Sequence, residues 1–153
     1  MSSRLKKGSA AALLAIAVVG GFEGLRLYAY RDVVGVPTVC YGETRGVRMG
    51  DRYTKEQCDD MLLKRLQEFE AAVLKCTPSL AHAPAKRLVA AVSLSYNIGQ
   101  GAYCKSTVAR RFNAGDIRGA CDAFLMWNKA GGVVWPGLTR RRQAEREMCL
   151  EGL

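Results

Sequence analysis

The sequence has little that could hold a metal ion or a cofactor. His82 is the only histidine, and the six cysteines include no C-x-x-C pair, so a zinc site of the usual ligand spacing is not predicted. Gly99-Gln100-Gly101 lacks the third glycine and the preceding strand of a dinucleotide-binding fingerprint. Ser93 and Ser95 lie in a helical pattern with no histidine nearby to act as a base, which argues against a serine nucleophile.

The cysteines indicate disulfide bonds instead. An even number of cysteines at long separations suits an oxidising compartment, and the alternative is six buried free thiols in a cytosolic protein. Sequence alone allows fifteen connectivities for six cysteines. We predict at least two disulfides, one of which joins Cys121 to Cys149 and closes a loop across the C-terminal helices. The six residues are Cys40, Cys58, Cys76, Cys104, Cys121 and Cys149.

Length and charge limit the function further. The 153 residues are 49% apolar, which is ample for the core of one compact domain. The 23 Lys and Arg exceed the 14 Asp and Glu and give a net charge of +9. Such a charge attracts anionic partners from solution. Nucleic acid, anionic lipid and the acidic polymers of a cell wall all fit this description.

The longest apolar run is short and lies at the N-terminus. Residues 1–7 are basic and residues 8–22 are uncharged, as in a secretory signal. Fifteen helical residues span about 22 Å, against a hydrocarbon core of about 30 Å. The run is therefore expected to be a temporary membrane element, a signal that is cut after Ala17, or the first helix of the folded domain.

Helical and strand patterns follow one another along the rest of the chain. Residues 28–41 carry β-branched and aromatic residues, which predicts a small hairpin or a three-stranded sheet. Thr54 and Gln57 have the form of a capping box and open a helix to about Lys75, whose charged face, including Glu70, is expected to be solvated. Further helices are predicted at 85–96, 106–113, 116–127 and 138–150, with a loop at 131–137. We expect Arg140–Arg142 at the surface, for contact with acidic polymer or for solubility.

Two carboxyl groups and one hydroxyl stand out between Phe22 and Thr44. Glu23 follows the apolar run, which favours a partly desolvated carboxyl group. Asp32 lies nine positions later among predicted turn residues, and Thr38 follows it by six. General acid hydrolysis of a glycosidic bond needs such a pair, because one carboxyl group keeps its proton while the other stays ionised. The spacing alone is a weak pattern, since these could be a surface Glu, a turn Asp and a strand Thr that never meet.

The flanking residues make this pattern specific. Glu23-Gly24-Leu25-Arg26-Leu27, Tyr30-Arg31-Asp32 and Tyr41-Gly42-Glu43-Thr44 resemble the catalytic signature of glycoside hydrolase family 24, the phage-type lysozymes or endolysins. Blocks at 96–99, 119–122, 127–132 and 137–145 resemble later parts of the same family, so the resemblance covers roughly residues 20–150. Members often carry His where this chain has Glu43, and the role of that histidine has no counterpart here.

The resemblance implies an α+β, mainly helical lysozyme-like fold with a small antiparallel sheet, a helical lobe and a cleft between them. It implies hydrolysis of the β-1,4 bond between N-acetylmuramic acid and N-acetylglucosamine in peptidoglycan, with inversion and without a cofactor or metal. Glu23 would protonate the leaving oxygen, while Asp32 and Thr38 would position a water. The candidate substrate contacts are Asn97 and Asn128, through their amides, and Trp135, by stacking on sugar.

Two segments are expected: residues 1–22 as the basic and apolar N-terminal segment, and residues 23–153 as the catalytic domain. Some endolysins that resemble this chain carry a signal-arrest-release segment, which enters the inner membrane and is later withdrawn. The expected location is the host periplasm after transient inner-membrane association, and the expected partner of the monomer is peptidoglycan, with no nucleic acid. The alternative is a basic exported protein that binds anionic polymer without catalysis. The dispersal of its charges over several helices disfavours that alternative.

Overall fold

A computed structural model describes residues 2–153. The described chain is mainly helical with short antiparallel strand pairs, which confirms the predicted α+β class. Two short 3₁₀ turns, Pro78–His82 and Phe124–Met126, connect some of these elements. In chain order the elements are α1 (Ala10–Glu23), β1 (Arg26–Arg31), β2 (Pro37–Cys40), α2 (Lys55–Cys76), α3 (Ala85–Ile98), α4 (Gln100–Cys104), α5 (Thr107–Asn113), α6 (Ile117–Ala123), β3 (Lys129–Ala130), β4 (Val133–Val134) and α7 (Pro136–Cys149).

The chain forms two compact units. The N-terminal unit is Leu5–Gln67, and the C-terminal unit is Glu68–Leu153 together with the residues up to Arg4. The boundary falls within α2, so the first half of that helix is described with one unit and its second half with the other. No helix in the described part of the chain is both long and apolar enough to cross a membrane.

The apolar N-terminal run forms α1, as predicted for the case in which it is part of the folded domain. Ser9 caps the helix, because its Oγ accepts a hydrogen bond from the Ala12 N–H at 3.1 Å. Gly24 ends it with a φ of 81°, a conformation that glycine adopts without strain. The buried side of α1 is lined by small residues, whereas Leu13 on the other side is 59% exposed. The helix is therefore apolar on its solvent side as well as on its packed side.

Gly20 lets α1 approach the rest of its unit closely. A Cβ atom at this position would lie 2.9 Å from Cε1 of Tyr41, which is closer than real Cβ contacts. The Tyr41 ring is buried, and its hydroxyl hydrogen-bonds Oδ1 of Asp59 at 2.5 Å. Gly21 next to it faces open space. The two adjacent glycines thus have different roles, and only Gly20 is required by packing.

A hairpin follows α1, as the β-branched pattern of residues 28–41 predicts. Strands β1 and β2 are antiparallel, with Arg26 opposite Cys40 and Tyr30 opposite Thr38. Cys40 forms a disulfide with Cys58 in α2, which attaches the hairpin to that helix. Helix α2 begins with the predicted capping box, in which the Thr54 and Gln57 side chains each accept a hydrogen bond from the other residue's backbone N–H.

The C-terminal unit is built around α3, which is buried continuously from Arg87 to Ser95 and packs against α7. Two further disulfides lie in this unit, Cys76–Cys104 and the predicted Cys121–Cys149, so the expectation of at least two disulfides is confirmed. The predicted helices at 85–96 and 106–113 are also confirmed. The Ser106 hydroxyl caps α5 by accepting from the Ala109 N–H.

The predicted loop at 131–137 is wrong. Its first part is the turn and second strand of the β3–β4 hairpin, in which Gly131 and Gly132 both have positive φ, as a two-residue turn requires. Its end is already helical, because Pro136 opens α7 two residues before the predicted start. Proline suits the first turn of a helix, where its missing N–H leaves no bond unmade.

The expectation that Arg140–Arg142 lie at the surface is wrong for two of the three. Arg141 is 5% exposed and Arg142 is fully buried. Both pair with the buried Glu145, and Arg142 Nε lies 2.7 Å from Glu145 Oε1. Desolvation raises the pKa of Glu145, although the two guanidinium groups and the hydroxyl of Ser93 act in the opposite direction. The basic pattern of the helix therefore encodes a buried ionic cluster.

Glu70 is also buried, at 1% exposure, where a solvated position was expected. Its carboxylate accepts hydrogen bonds from the Ser3 hydroxyl and from the Arg4 backbone N–H. Arg4 in turn donates to the carbonyls of Leu80 and Ala83. Glu70 thus fixes the start of the chain onto the C-terminal unit, which explains why a charged residue is buried there.

Candidate active site

Glu23 is the last residue of α1, and the left-handed Gly24 directly behind it turns the chain into β1. The residue is exposed, as are its neighbours Phe22 and Leu25, at 39% and 38%. The expectation of a partly desolvated carboxyl group is therefore wrong. Apolar neighbours in sequence do not bury this side chain, because at the end of a helix they are themselves at the surface.

Asp32 lies in the turn that joins β1 to β2. Its Oδ1 accepts two hydrogen bonds, from the Val34 N–H at 2.9 Å and from the Val36 N–H at 2.8 Å. The Asp32 backbone also closes the turn, through its N–H to the Val36 carbonyl and its carbonyl from the Gly35 N–H. Among the described residues, no donor reaches Oδ2. The turn therefore fixes the carboxylate in one orientation and leaves one oxygen to accept a further hydrogen bond.

Thr38 lies on β2 and is 4% exposed. Its hydroxyl donates to the Val36 carbonyl at 2.9 Å. Because a hydroxyl has a single proton, this bond leaves only the lone pairs of Oγ1 for another partner. Val36 thus binds both predicted site residues, Asp32 through its N–H and Thr38 through its carbonyl. The structure brings these two side chains together at one residue of the hairpin.

Glu43 occupies the position at which family members often have histidine. Its carboxylate forms a two-pronged pair with Arg65, at 2.9 Å from Nε to Oε2 and 3.0 Å from Nη2 to Oε1. It also accepts from the backbone N–H groups of Thr44 and Arg45. Burial opposes ionisation here, but these hydrogen bonds outweigh it and lower the pKa of Glu43 below its ordinary value. The residue is a structural anchor for the segment after β2.

The other three predicted residues belong to the C-terminal unit. Asn128 and Trp135 lie at the two ends of the β3–β4 hairpin and are brought together by the hydrogen bond from the Trp135 N–H to the Asn128 carbonyl. The Asn128 amide donates to Oγ1 of Thr139 at 3.2 Å. Trp135 is 55% exposed, while its indole N–H donates to the Ala130 carbonyl at 3.2 Å. Its ring is therefore held in a fixed position with one side open to solvent.

Asn97 lies on a different element, near the end of α3, and is exposed. The sequence does not predict the role of Val36, because this residue binds the two side chains through its backbone, which every residue type has. The sequence also does not predict Arg65 as the partner of Glu43. No group of three or more potential metal ligands occurs among residues 2–153.

Comparison with known proteins identifies the family. A family profile described as phage lysozyme matches residues 20–145. The SAR-endolysin of Enterobacteria phage P21 is 40% identical over 152 residues, which cover 95% of this chain and 90% of that protein.

Solved structures give the same result. The endolysin from Escherichia coli O157:H7 phage FAHEc1 superposes with a TM-score of 0.81 at 33% identity and covers 100% of this chain and 98% of its own. The muramidase domain of SpmX from Asticaccaulis excentricus gives a TM-score of 0.81 at 30% identity, with 97% and 99% coverage. The chain belongs to the phage lysozyme family and is a glycoside hydrolase of the lysozyme type.

Proposed function

We propose that this enzyme hydrolyses the β-1,4 bond between N-acetylmuramic acid and N-acetylglucosamine in peptidoglycan, as an endolysin that lyses the host cell. The observation that carries the proposal is the joint attachment of Asp32 and Thr38 to Val36. This arrangement leaves two acceptors, Oδ2 of Asp32 and the lone pairs of Thr38 Oγ1, on side chains that share one backbone partner. A water molecule has two protons to donate, so it fits such a pair of acceptors.

In the proposed mechanism Glu23 is the general acid and protonates the leaving glycosidic oxygen. Asp32 accepts a proton from the water and thereby activates it, and Thr38 orients the same water through its lone pairs. Attack on the anomeric carbon from the opposite face gives inversion, with no covalent intermediate. None of these steps requires a metal or a cofactor.

Three residues are proposed to contact the glycan outside the reacting bond. The exposed ring of Trp135 offers a flat apolar surface for a sugar. The side-chain amides of Asn97 and Asn128 are suited to the N-acetyl groups of the substrate, because an amide both donates and accepts hydrogen bonds.

The N-terminal segment is proposed to hold the protein at the inner membrane before it acts in the periplasm. The name of the P21 relative, a SAR-endolysin, supports this, as does the lack of charge in α1 before Glu23. The exposed Leu13 and the small residues on the packed side give a helix that can face either lipid or protein. Glu23 ends this helix, so insertion of α1 would keep the catalytic acid away from the hairpin.

Fractionation of expressing cells tests the membrane step. Full-length protein in the membrane fraction before addition of an uncoupler, and soluble full-length lytic protein afterwards, is the expected result. A product shortened at Ala17, or protein that is soluble in the cytoplasm throughout, would rule out this step.

Peptidoglycan clearing tests the enzymatic proposal against simple binding of an anionic polymer. The enzyme should clear a suspension of purified Gram-negative sacculi and release soluble reducing ends, whereas a binder would only clump them. Proton NMR of the first product adds the stereochemistry. Release of the α anomer supports the mechanism, and release of the β anomer would make Asp32 a nucleophile instead.

A further inference from the structure

Two arginine–tyrosine stacks lie on and beside β1, outside the proposed catalytic residues. The Arg26 guanidinium carbon is 4.5 Å from the centre of the Tyr30 ring, and that of Arg52 is 5.0 Å from the centre of the Tyr28 ring. Tyr28 and Arg52 are also paired through their backbones. Tyr28 is 60% exposed, and both arginines are exposed. We refer to these four residues as the arginine–tyrosine cluster.

Three carboxylates of the same unit bind groups other than the guanidinium groups of this cluster. Asp32 binds backbone N–H groups, Glu43 binds Arg65, and Oδ2 of Asp51 accepts from the Arg48 backbone N–H. Within residues 2–153, neither Arg26 nor Arg52 forms an ion pair, and the same holds for Arg31 and Arg48. The hairpin region therefore presents a local excess of guanidinium groups.

Stacking leaves these guanidinium groups able to bind an anion. An arginine that lies over an aromatic ring uses the flat side of its guanidinium group, so the N–H groups along its edge point away from the ring. Those N–H groups match the two oxygens of a carboxylate. The stack also limits the motion of the long side chain, which reduces the entropy lost on binding. Carboxylates are thus the chemical class that the cluster fits.

The cluster continues the proposed active site along the same strand. Tyr30 stands opposite Thr38, and Asp32 directly follows the end of β1. The Arg26 guanidinium carbon lies 4.5 Å from the centre of the Tyr30 ring, so the charged part of the cluster lies beside the residue opposite Thr38. A glycan strand bound at Asp32 and Thr38 would therefore bring the peptide stems that it carries within reach of the cluster.

We propose that the arginine–tyrosine cluster binds the free carboxylates of the peptide stems of peptidoglycan while the glycan strand occupies the active site. This inference rests on the proposed function, because it takes the same polymer as substrate. The stems carry both carboxylates and apolar side chains, which suit arginine and tyrosine respectively. The cluster makes peptide-bearing wall a better substrate than bare glycan.

The test compares two double variants with the same loss of charge. Arg26→Gln/Arg52→Gln removes both stacked guanidinium groups, and Lys105→Gln/Arg118→Gln removes two exposed charges from the C-terminal unit. Three substrates are used: native sacculi, sacculi whose carboxylates have been amidated with a carbodiimide and ammonia, and sacculi stripped of peptides by an amidase. The stripped material exposes the lactyl carboxylates of muramic acid, so it separates the two sources of carboxylate.

Two exposed charge contacts together are expected to change KM about three- to tenfold. The KM of Arg26→Gln/Arg52→Gln on native sacculi should rise by this factor, while the control variant changes less than about twofold. The KM of wild type should rise by the same factor on amidated and on stripped sacculi. The KM of the Arg26→Gln/Arg52→Gln variant should rise little further on these two substrates. An equal loss in the control variant, or an unchanged wild-type KM on amidated sacculi, would overturn the inference.

Pelleting with native sacculi separates this inference from the proposed function. Glu23→Gln protein, with and without the Arg26→Gln/Arg52→Gln changes, is mixed with sacculi and centrifuged. Weaker pelleting of the triple variant on native sacculi, and no difference on amidated sacculi, supports the cluster even if hydrolysis itself fails. Equal pelleting of the two proteins on native sacculi contradicts the cluster even if hydrolysis is confirmed.

Discussion

Replacement of Gly20 by alanine should weaken the packing of α1, whereas the same change at Gly21 should not. The new Cβ at position 20 would lie 2.9 Å from the Tyr41 ring, and the ring cannot swing away easily because it is buried and bound to Asp59. Overpacking of this kind costs about 1–3 kcal/mol. At Gly21 the Cβ enters open space, and alanine improves helix propensity by up to about 1 kcal/mol.

Both changes add one methyl group to the same apolar helix, so they alter its membrane affinity equally, and the comparison isolates packing. The two unfolding free energies should differ by the overpacking term, about 1–3 kcal/mol. For a chain of this length that corresponds to a melting temperature about 2–12 °C lower for Gly20→Ala than for Gly21→Ala. Thermal unfolding of the two purified proteins, followed by circular dichroism, measures this difference. Equal melting temperatures would show that α1 does not pack against Tyr41.

Three further predictions concern the hairpin and the disulfides. Glu43→Gln should destabilise the fold by about 1–3 kcal/mol at neutral pH by breaking the partly buried pair with Arg65. Because folding lowers the pKa of Glu43 from its ordinary 4.5, the pair stabilises the protein above that pH and its contribution is lost on acidification. Urea titrations of wild type and Glu43→Gln should therefore show a smaller difference in unfolding free energy at pH 3 than at pH 7. The same difference at both pH values would contradict this. Asp32→Asn should keep the melting temperature, since the amide oxygen can still accept from Val34 and Val36, but should lower turnover about 100-fold or more; a loss below about tenfold in a sacculus-clearing assay would argue against its role. Replacement of both Cys121 and Cys149 by serine opens a loop with a sequence separation of 28 and should cost about 3–4 kcal/mol in a denaturant titration; a cost below about 1 kcal/mol would show that the link does not constrain the unfolded chain.

The helices could be predicted where a local signal marks their ends. Ser106 and the Thr54–Gln57 pair cap their helices by binding backbone N–H groups three residues away. Such interactions depend on neighbours in sequence, so residue type and spacing reveal them. Helix α7 begins at Pro136 and not at residue 138 as predicted. The glycines and valines before Pro136 favour a loop, so the proline is not recognised as the first residue of a helix.

Burial of charged residues could not be predicted in the same way. Glu145 lies in a strongly basic helix, yet its partner Ser93 is 52 positions away in the sequence. The same is true of Glu70, whose partners are Ser3 and Arg4. Periodicity reports which face of a helix is apolar, but it cannot show that a charged group is satisfied by a distant segment of chain.

Some features of the candidate site could be predicted from the sequence and others could not. The hairpin around Asp32 and Thr38 follows from β-branched residues and the turn between them, so its place in the chain could be predicted. The link between the two side chains could not, because it runs through the backbone of Val36. For Glu23, the exposure depends on how the end of α1 lies at the surface, which an apolar flanking sequence does not determine.

The activity of Glu23→Gln on purified sacculi tests the central claim most directly. Glutamine keeps the shape of the side chain but has no acidic proton to give to the leaving oxygen. Hydrolysis should fall by about 100- to 10,000-fold, while circular dichroism and the melting temperature stay those of wild type. A well-folded Glu23→Gln protein that releases reducing ends within about threefold of the wild-type rate would contradict the assignment of Glu23 as the general acid.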